Sequence, residues 1–357
     1  MMVHNYSAGP CVLPQEVFDK AAESIRDYNG TGLSIIEMSH RSKDFVEVME
    51  RAQALVKELL NVPDGYTVLF LQGGASLGFY MSSINFMKNE GGVGAYVDTG
   101  SWSSKAIKEA KLLGDVRVLA SSKDQNYNYI PKGYEVPTDV DYVHLTSNNT
   151  IFGTQIKSFP ESEAPLLCDM SSDIFSKPVD VSKFDLIYAG AQKNMGPAGT
   201  TVYIVKDEAL GKTGRAIPSM LDLQVHASKD SMFNTPPVFA VYGSMLTMEW
   251  MKKEGGVEEM EKRNEAKAQL LYSEIDRNAL FEGTTKAEDR SNMNPTFVLK
   301  DEEAHAARFD QMWKDANING LKGHRSVGGY RASMYNALGI DSVRVLVEVM
   351  KELERTA

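Results

Sequence analysis

The chain has 357 residues, of which 43% are hydrophobic and 24% are charged, and its formal net charge is -10. This length suits two domains, and the composition is typical of a soluble globular protein. Because the chain is acidic, has no basic block and has no apolar run of membrane-spanning length, we expect neither nucleic acid nor a membrane as a partner.

Helical and strand patterns alternate through the first two thirds of the chain. Apolar spacing predicts helices over 15–29 and 45–60, then a helix over 77–88 and one that ends near residue 113. Short apolar runs predict strands over 67–71, 94–98, 116–120, 141–146, 165–169, 186–191 and 200–205. This alternation indicates an α/β fold with a mostly parallel sheet covered by helices.

The pattern changes near Pro236. A helix to Lys253 is predicted to end at Gly255 and Gly256, and a long amphipathic helix then runs to about residue 278. Strands over 296–299 and 330–334 and helices over 302–317 and from 341 onward indicate a small C-terminal α+β domain. We predict a large domain over 15–255 and a small domain over 256–357, which the N-terminal segment 1–14 joins.

The cysteine content bears on the compartment. The N-terminal residues lack the charged and then apolar form of a signal peptide. Two cysteines, Cys11 and Cys168, are therefore interpreted as free thiols in a reducing compartment. We expect a cytoplasmic protein.

Candidate site residues follow the predicted strands, at the edge where open α/β sheets bind ligands. The small residues 73–76 follow the first strand and open a helix, where free N–H groups attract a phosphate, although a plain tight turn has the same composition. Trp102 lies in a polar turn, where its ring is equally suited to stack on a flat ligand or to cover a rim.

A lysine and an aspartate end two later strands. Lys193 follows an apolar strand and precedes a loop of Gly and Pro, and partial removal from water favours a neutral amine, which forms Schiff bases. Asp169 ends the preceding strand, where a carboxylate requires a cationic partner or caps the following turn. Together, the phosphate site, the ring, the carboxylate and the lysine are what pyridoxal phosphate requires.

Eight segments carry a resemblance to a known family. The chain resembles the phosphoserine aminotransferases, which are class V, fold-type-I pyridoxal phosphate enzymes, over nearly its whole length. The matching segments are NYSAGPCVLP, EMSHRSKDF (37–45), LQGGASLGF (71–79), SNNTIFGTQ (147–155), CDMSSDIFSKPVDV (168–181), AGAQKNMGPAG (189–199), NTPPVFAVY (234–242) and KGHRSVGGYRASMYNA (322–337).

The resemblance implies a role for each matching residue. Lys193 would carry the cofactor covalently, Asp169 would keep its ring nitrogen protonated, Trp102 would stack on the ring, and Thr150 would bind the ring hydroxyl. The cofactor phosphate would be held by Ala75, Ser76 and Gln192, and by Asn234 and Thr235 of the partner subunit in a homodimer with shared active sites. The anionic groups of the substrate would be bound by His40, Arg41, His324, Arg325 and Arg331.

The sequence departs from the family pattern at two positions. Some members have Arg where this chain has Ser76, which puts more of the phosphate binding on the backbone. Some have Ser where this chain has Ala8, which cannot make a hydroxyl contact, so Ala8 is not predicted to be a site residue. No metal ligand is predicted.

The implied reaction is a ping-pong transamination. L-glutamate would give 2-oxoglutarate, and 3-phosphooxypyruvate would become O-phospho-L-serine in serine biosynthesis. Family members commonly also use 3-hydroxy-2-oxo-4-phosphooxybutanoate, in pyridoxine biosynthesis, and the sequence leaves this open. Arginine suits such substrates because its planar fork fits a carboxylate and a phosphate alike.

Two rival functions are considered. One is another class V enzyme; among these, a cysteine desulfurase would require a thiol on a mobile loop late in the chain, where this sequence has none. A non-catalytic anion-binding protein of the same fold would tolerate the loss of Lys193, whereas an aminotransferase would not.

Overall fold

The computed structural model describes residues 2–357. The strands are β1 (His4–Asn5), β2 (Tyr66–Leu71), β3 (Val93–Asp98), β4 (Asp115–Ser121), β5 (Tyr142–Thr146), β6 (Asn148–Asn149), β7 (Thr154–Gln155), β8 (Leu166–Asp169), β9 (Leu186–Gly190), β10 (Thr201–Lys206), β11 (Phe281–Gly283), β12 (Thr296–Leu299), β13 (Ile318–Asn319) and β14 (Tyr330–Arg331). The α-helices are α1 (Gln15–Arg26), α2 (Lys43–Leu59), α3 (Gly74–Phe86), α4 (Ser101–Ala110), α5 (Leu223–Ala227), α6 (Val238–Lys253), α7 (Gly256–Arg277), α8 (Glu302–Asp315) and α9 (Ile340–Thr356).

Seven strands form the central sheet, in the order β2-β10-β9-β8-β5-β3-β4. Strand β10 runs antiparallel to both of its neighbours, whereas the pairs among β9, β8, β5, β3 and β4 are parallel. The predicted α/β fold with a mostly parallel sheet is therefore confirmed.

Both faces of the sheet are buried, as the near-continuous apolar strands predict. In β2, Val68 and Phe70 pack into one hydrophobic cluster with residues of α2 and α6. The alternating residues Leu69 and Leu71 pack into a second cluster with residues of α3 and α4. Because successive side chains point to opposite faces, one strand serves both clusters.

The turn from β2 into α3 depends on glycine. Gly73 has a φ of 100°, and a Cβ at this position would lie 2.4 Å from the Leu77 side chain. A residue with a side chain would meet both a backbone penalty and a clash. This turn directs the N-terminus of α3 toward the carboxyl ends of the strands.

The C-terminal region, residues 256–357, has its own antiparallel sheet in the order β11-β12-β14. Residues of this sheet and of α7, α8 and α9 form a third cluster, which also includes Tyr6 of the N-terminal segment. Strand β1 pairs with β13 and holds that segment against the region. The predicted α+β character is confirmed, whereas the domain boundary at residue 255 stays a prediction.

Several predicted boundaries were wrong. The first helix ends at Arg26, before the predicted residue 29, because Asp27 is extended and Asn29 has a φ of 52°. The predicted strand over 330–334 covers only Tyr330–Arg331. Among residues 2–357, no helix has the length and apolar character needed to cross a membrane.

Candidate active site

A cavity of about 290 Å³ opens where β8 and β9 end and α3 begins. Its wall is built from turns that follow the strands, from the N-terminal segment and from the C-terminal region. The lining residues are Ala8, Gly9, Gly74, Ala75, Ser76, Trp102, Asn148, Thr150, Ile151, Asp169, Ser171, Ser172, Gln192, Lys193, His324 and Arg331. Nine of these residues are among those predicted from the sequence.

Lys193 lies in the tight turn after β9, where Met195 and Gly196 donate backbone hydrogen bonds to Ala191. Its amine donates a hydrogen bond to Thr150 Oγ1 over 2.9 Å and lies 5.8 Å from the centre of the Trp102 ring. Burial lowers the pKa of Lys193 to about 8, although the Asp169 carboxylate opposes this shift. Near neutral pH, a useful fraction of the amine is therefore uncharged and nucleophilic.

Asp169 is 4% exposed at the end of β8. Its Oδ1 accepts hydrogen bonds from the backbone N–H of Ser171 (2.9 Å) and from the Ser171 hydroxyl (2.6 Å). Within residues 2–357, no hydrogen bond reaches its Oδ2. Burial raises the pKa of this carboxyl, and the two contacts from Ser171 oppose the rise. Asp169 therefore lines the cavity with one oxygen fixed and one available.

The N-terminus of α3 provides a potential anion site. Its N-cap, Gly73, has no side chain with which to cap the helix. The backbone N–H groups of Ala75 and Ser76 have no hydrogen-bond partner among the described residues. Both residues line the cavity, so unpaired donors and the positive end of the helix dipole meet there.

Arg331 brings a positive charge to the lining of the cavity. Its Nη1 donates to the Thr150 backbone oxygen over 3.3 Å, and its buried Nε has no partner. Burial lowers the pKa of Arg331, and burial followed by Arg331 and Arg325 lowers that of His324. Within residues 2–357, neither Arg331 nor His324 forms an ion pair. The charge of Arg331 is therefore not neutralised by a carboxylate in contact with it.

Five of the predicted residues do not line this cavity: His40, Arg41, Asn234, Thr235 and Arg325. Arg41, Thr235 and Arg325 are exposed, and Asn234 and His40 are partly exposed. The backbone oxygen of Thr235 accepts a hydrogen bond from Gln72 Nε2 over 2.7 Å, close to the start of α3. Within one chain, these side chains are left without a role in the cavity.

The N-terminal segment contributes to the site, which the sequence did not predict. Ala8 and Gly9 both line the cavity. Gly9 has a φ of 132°, which disfavours a side chain, and a Cβ there would lie 3.3 Å from Lys193 Cγ, so both the backbone and the packing against the lysine favour glycine. The segment SAGP carried the signal, but an alanine and a glycine offer no chemistry from which a site could be inferred.

The two cysteines offer no nucleophile to this cavity. Cys168 is fully buried within β8. The Cys11 thiol donates a hydrogen bond to the Lys193 backbone oxygen over 2.6 Å, and burial raises the pKa of this thiol to about 12. Neither residue has the exposed thiolate that the desulfurase alternative requires.

Comparisons with known proteins identify the family. The family model for aminotransferase class-V matches residues 3–346. A phosphoserine aminotransferase of Flavobacterium psychrophilum is 66% identical over 99% of each chain. The structure of phosphoserine aminotransferase from Bacillus circulans subsp. alkalophilus is 45% identical, covers 99% of each chain and has a TM-score of 0.96.

A further solved structure is similar to this chain and has the cofactor bound. Phosphoserine aminotransferase from Trichomonas vaginalis, described as PLP bound, is 36% identical, covers 98% of this chain and 100% of its own, and has a TM-score of 0.93. These matches extend over nearly the whole chain. The chain therefore belongs to the class-V aminotransferase family, among its phosphoserine aminotransferases.

Proposed function

We propose that this protein transfers an amino group from L-glutamate to 3-phosphooxypyruvate with pyridoxal phosphate as its cofactor, which gives 2-oxoglutarate and O-phospho-L-serine. One observation carries the proposal. A partly neutral lysine, a buried carboxylate and an arginine without an ion pair surround one cavity. The lysine suits a reaction through an amine, the carboxylate suits a cofactor ring that withdraws electrons, and the arginine suits an anionic substrate.

The cavity residues fit pyridoxal phosphate. The unpaired N–H groups of Ala75 and Ser76 suit the phosphate, and Gln192 lines the same cavity. Asp169 has a free oxygen for the ring nitrogen, and Thr150 Oγ1 is available to the ring hydroxyl. When bound, pyridoxal phosphate supplies a carbonyl for amine exchange and an electron sink for the substrate α-carbon.

Lys193 has two tasks in this proposal. Its amine would hold the cofactor covalently before the substrate arrives. Once a substrate amine had taken its place, the free Lys193 Nζ would accept the proton of the substrate α-carbon and then release it. A positioned general base of this kind contributes about 10² to 10⁴ in rate. The lowered pKa suits this task because the amine accepts a proton near neutral pH and also releases it.

Asp169 and Trp102 act on the cofactor ring. The Asp169 carboxylate, which Ser171 orients through Oδ1, would keep the ring nitrogen of the bound cofactor protonated. Trp102 lines the cavity and would cover the ring and exclude water from it. Thr150 binds both the lysine amine and, through its backbone oxygen, Arg331, so it connects the cofactor with the substrate side.

The substrate carboxylate and its distal anion are bound by Arg331, His324, Arg325, His40 and Arg41. Glutamate presents two carboxylates, whereas the keto acid presents a carboxylate and a phosphate. A guanidinium fork accepts either group in a bidentate manner. The compound 3-hydroxy-2-oxo-4-phosphooxybutanoate also carries a carboxylate and a phosphate, so the same residues would bind it as a second keto acid.

We infer that the active sites are completed in a cytoplasmic homodimer. His40, Arg41, Asn234 and Thr235 lie outside their own chain's cavity, on the segments 27–42 and 229–237. These segments also expose apolar side chains, with Leu33 50%, Ile36 60% and Phe233 41% exposed. Exposed apolar residues next to unused polar ones are typical of a subunit interface. Asn234 and Thr235 then reach the phosphate of the partner's cofactor.

The purified protein offers a direct test of the reaction. With bound cofactor, L-glutamate alone should change the cofactor absorbance and release one equivalent of 2-oxoglutarate per site. Addition of 3-phosphooxypyruvate should restore the spectrum and give one equivalent of O-phospho-L-serine. A bound cofactor whose spectrum does not respond to glutamate would contradict the proposal, and the same assay with the second keto acid measures the range of substrates.

A further inference from the structure

Three consecutive backbone carbonyls behind the cavity each accept a hydrogen bond from a different asparagine side chain. Asn194 Nδ2 donates to Ile174 O over 3.0 Å, Asn336 Nδ2 donates to Phe175 O over 2.9 Å, and Asn264 Nδ2 donates to Ser176 O over 3.1 Å. We call Asn194, Asn264 and Asn336 the asparagine clamp. All three side chains are at least 95% buried.

The clamp residues also bind one another. The Asn336 backbone N–H donates to Asn194 Oδ1 over 3.0 Å, and Asn264 Nδ2 donates to Asn336 Oδ1 over 2.8 Å. Asn336 is therefore the central member, with contacts to both others and to the carbonyl of Phe175. In a buried network of this kind, each member fixes the geometry of the next.

The clamped segment has an unusual backbone. Phe175 has a φ of 59°, in the left-handed region, and its side chain is fully buried. A bulky residue persists in this conformation only where its surroundings hold it. The donors on the carbonyls of residues 174–176 provide that restraint.

Each partner of the clamp continues into a functional residue. The segment 170–176 follows directly after Asp169, Asn194 follows Lys193, and Asn336 ends the segment that begins with Arg331. Buried Lys267 holds that last segment as well, because its Nζ donates to the backbone oxygens of Met334 (3.0 Å) and Tyr335 (2.8 Å). The three segments come from separate parts of the chain and meet at the clamp and at the cavity.

We propose that Asn194, Asn264 and Asn336 are positioning residues that fix Lys193 relative to Asp169 and Arg331. None of the three lines the cavity, so they act through the backbone of the residues that do. The inference rests on the proposed function, since it assigns the clamp to the geometry of that reaction. It also explains why polar side chains occupy a buried junction that apolar residues would fill at lower desolvation cost.

The test replaces the central donor with an isosteric acceptor. In Asn336→Asp, the contact to Phe175 O is lost, while an acceptor for Asn264 remains. We expect kcat/KM for both half-reactions to fall between about tenfold and 10²-fold, since small misplacements of reacting groups have effects of this size. In the cofactor-free protein, the rate at which Lys193 bonds pyridoxal phosphate depends on pH. We expect the midpoint of that pH dependence to move to higher pH in the variant, because water enters around the amine.

A matched control separates positioning from stability. Leu346 is fully buried in α9, within the hydrophobic cluster of the C-terminal region, to which none of the clamp residues belongs. Leu346→Ala should lower the melting temperature at least as much as Asn336→Asp does. Its kcat/KM should nevertheless stay within about twofold of the parent value, and its pH midpoint within about 0.2 unit. If Asn336→Asp does not fold, Asn264→Ala, at the outer end of the clamp, replaces it. In that variant kcat/KM should fall roughly threefold, and the pH midpoint should move in the same direction.

The outcomes distinguish this inference from the proposed function. Unchanged kcat/KM and pH midpoint in the folded Asn336→Asp protein would overturn the clamp, and so would equal losses in Leu346→Ala. If the parent protein does not transaminate, the proposed function fails, but the pH dependence of cofactor bonding still decides whether the clamp positions Lys193.

Discussion

Two regions of the molecule carry the candidate site residues, and they differ in how far one chain completes them. At the strand ends, Lys193, Asp169 and Thr150 are held by hydrogen bonds within the chain. On the outlying segments, Arg41 and Thr235 are exposed and lie outside the cavity. One chain therefore fixes the residues at the strand ends, whereas Arg41 and Thr235 contribute nothing to the cavity of their own chain.

The difference has a physical origin. A residue that ends a buried strand is fixed by the hydrogen-bond ladder and by the packing of both sheet faces. A residue on an exposed connection has few such restraints and acquires a fixed position through contact with another surface. Variants at the strand ends should therefore lose more activity than variants on the exposed segments.

The largest effect is expected at the centre of the first region. Lys193→Ala removes both the covalent attachment point and the proton carrier, so kcat should fall by more than the 10² to 10⁴ attributed to a general base alone. The measurement is single-turnover release of 2-oxoglutarate, with cofactor binding followed by absorbance. Lys105→Ala is a suitable control, because its amine also lies near the Trp102 ring, at 4.3 Å, yet is exposed. Turnover near the parent rate in Lys193→Ala would refute the assignment.

A smaller loss is expected when the carboxylate is neutralised without a change of shape. Asp169→Asn retains an oxygen for the contacts from Ser171 but no longer holds a proton on the ring nitrogen. We expect kcat to fall about 10²- to 10³-fold, the size typical of removing one preorganised electrostatic partner. The KM for glutamate should change little, because this group acts on the cofactor. Steady-state kinetics decide the point, and a variant with unchanged kcat would exclude this role.

The arginines test the border between the two regions. Arg331 lines the cavity and Arg325 does not, so Arg331→Ala should raise KM for glutamate and for the keto acid more than Arg325→Ala. A hydrogen bond to a charged group is worth about 1.5–3 kcal/mol, which corresponds to roughly 10- to 150-fold in KM for Arg331→Ala. Equal, small effects in both variants would show that the cavity wall is not the anion site.

A pH dependence gives the most modest effect. The folded pKa of Lys193 lies near 8, below the ordinary value of 10.5, so its amine loses its proton as the pH rises through 8. In the cofactor-free protein, the rate of bonding to pyridoxal phosphate should therefore increase with pH and level off above about pH 9. A rate that still rises steeply at pH 10 would indicate an unshifted lysine.

The sequence predicted the first region better than the second. Lys193 and Asp169 were recognisable because a charged residue at the end of an apolar strand has few explanations. The contact between Lys193 and Thr150 was less accessible, because Thr150 follows the short hairpin strand β6, and two-residue strands leave no periodic pattern. The positive φ of Phe175 and the buried asparagines could not be predicted at all, since long-range contacts determine both.

The shared site is the claim on which the comparison depends, and complementation between inactive variants tests it most directly. One variant is Lys193→Ala, and the other combines Asn234→Ala with Thr235→Ala. Each is expected to be inactive alone, and an equal mixture is unfolded and refolded with cofactor. If Asn234 and Thr235 serve the partner's cavity, half of the dimers are mixed, each with one intact site, and activity returns to about a quarter of the parent value. Activity that stays at the level of the two variants would contradict the account and would assign Asn234 and Thr235 to their own chain.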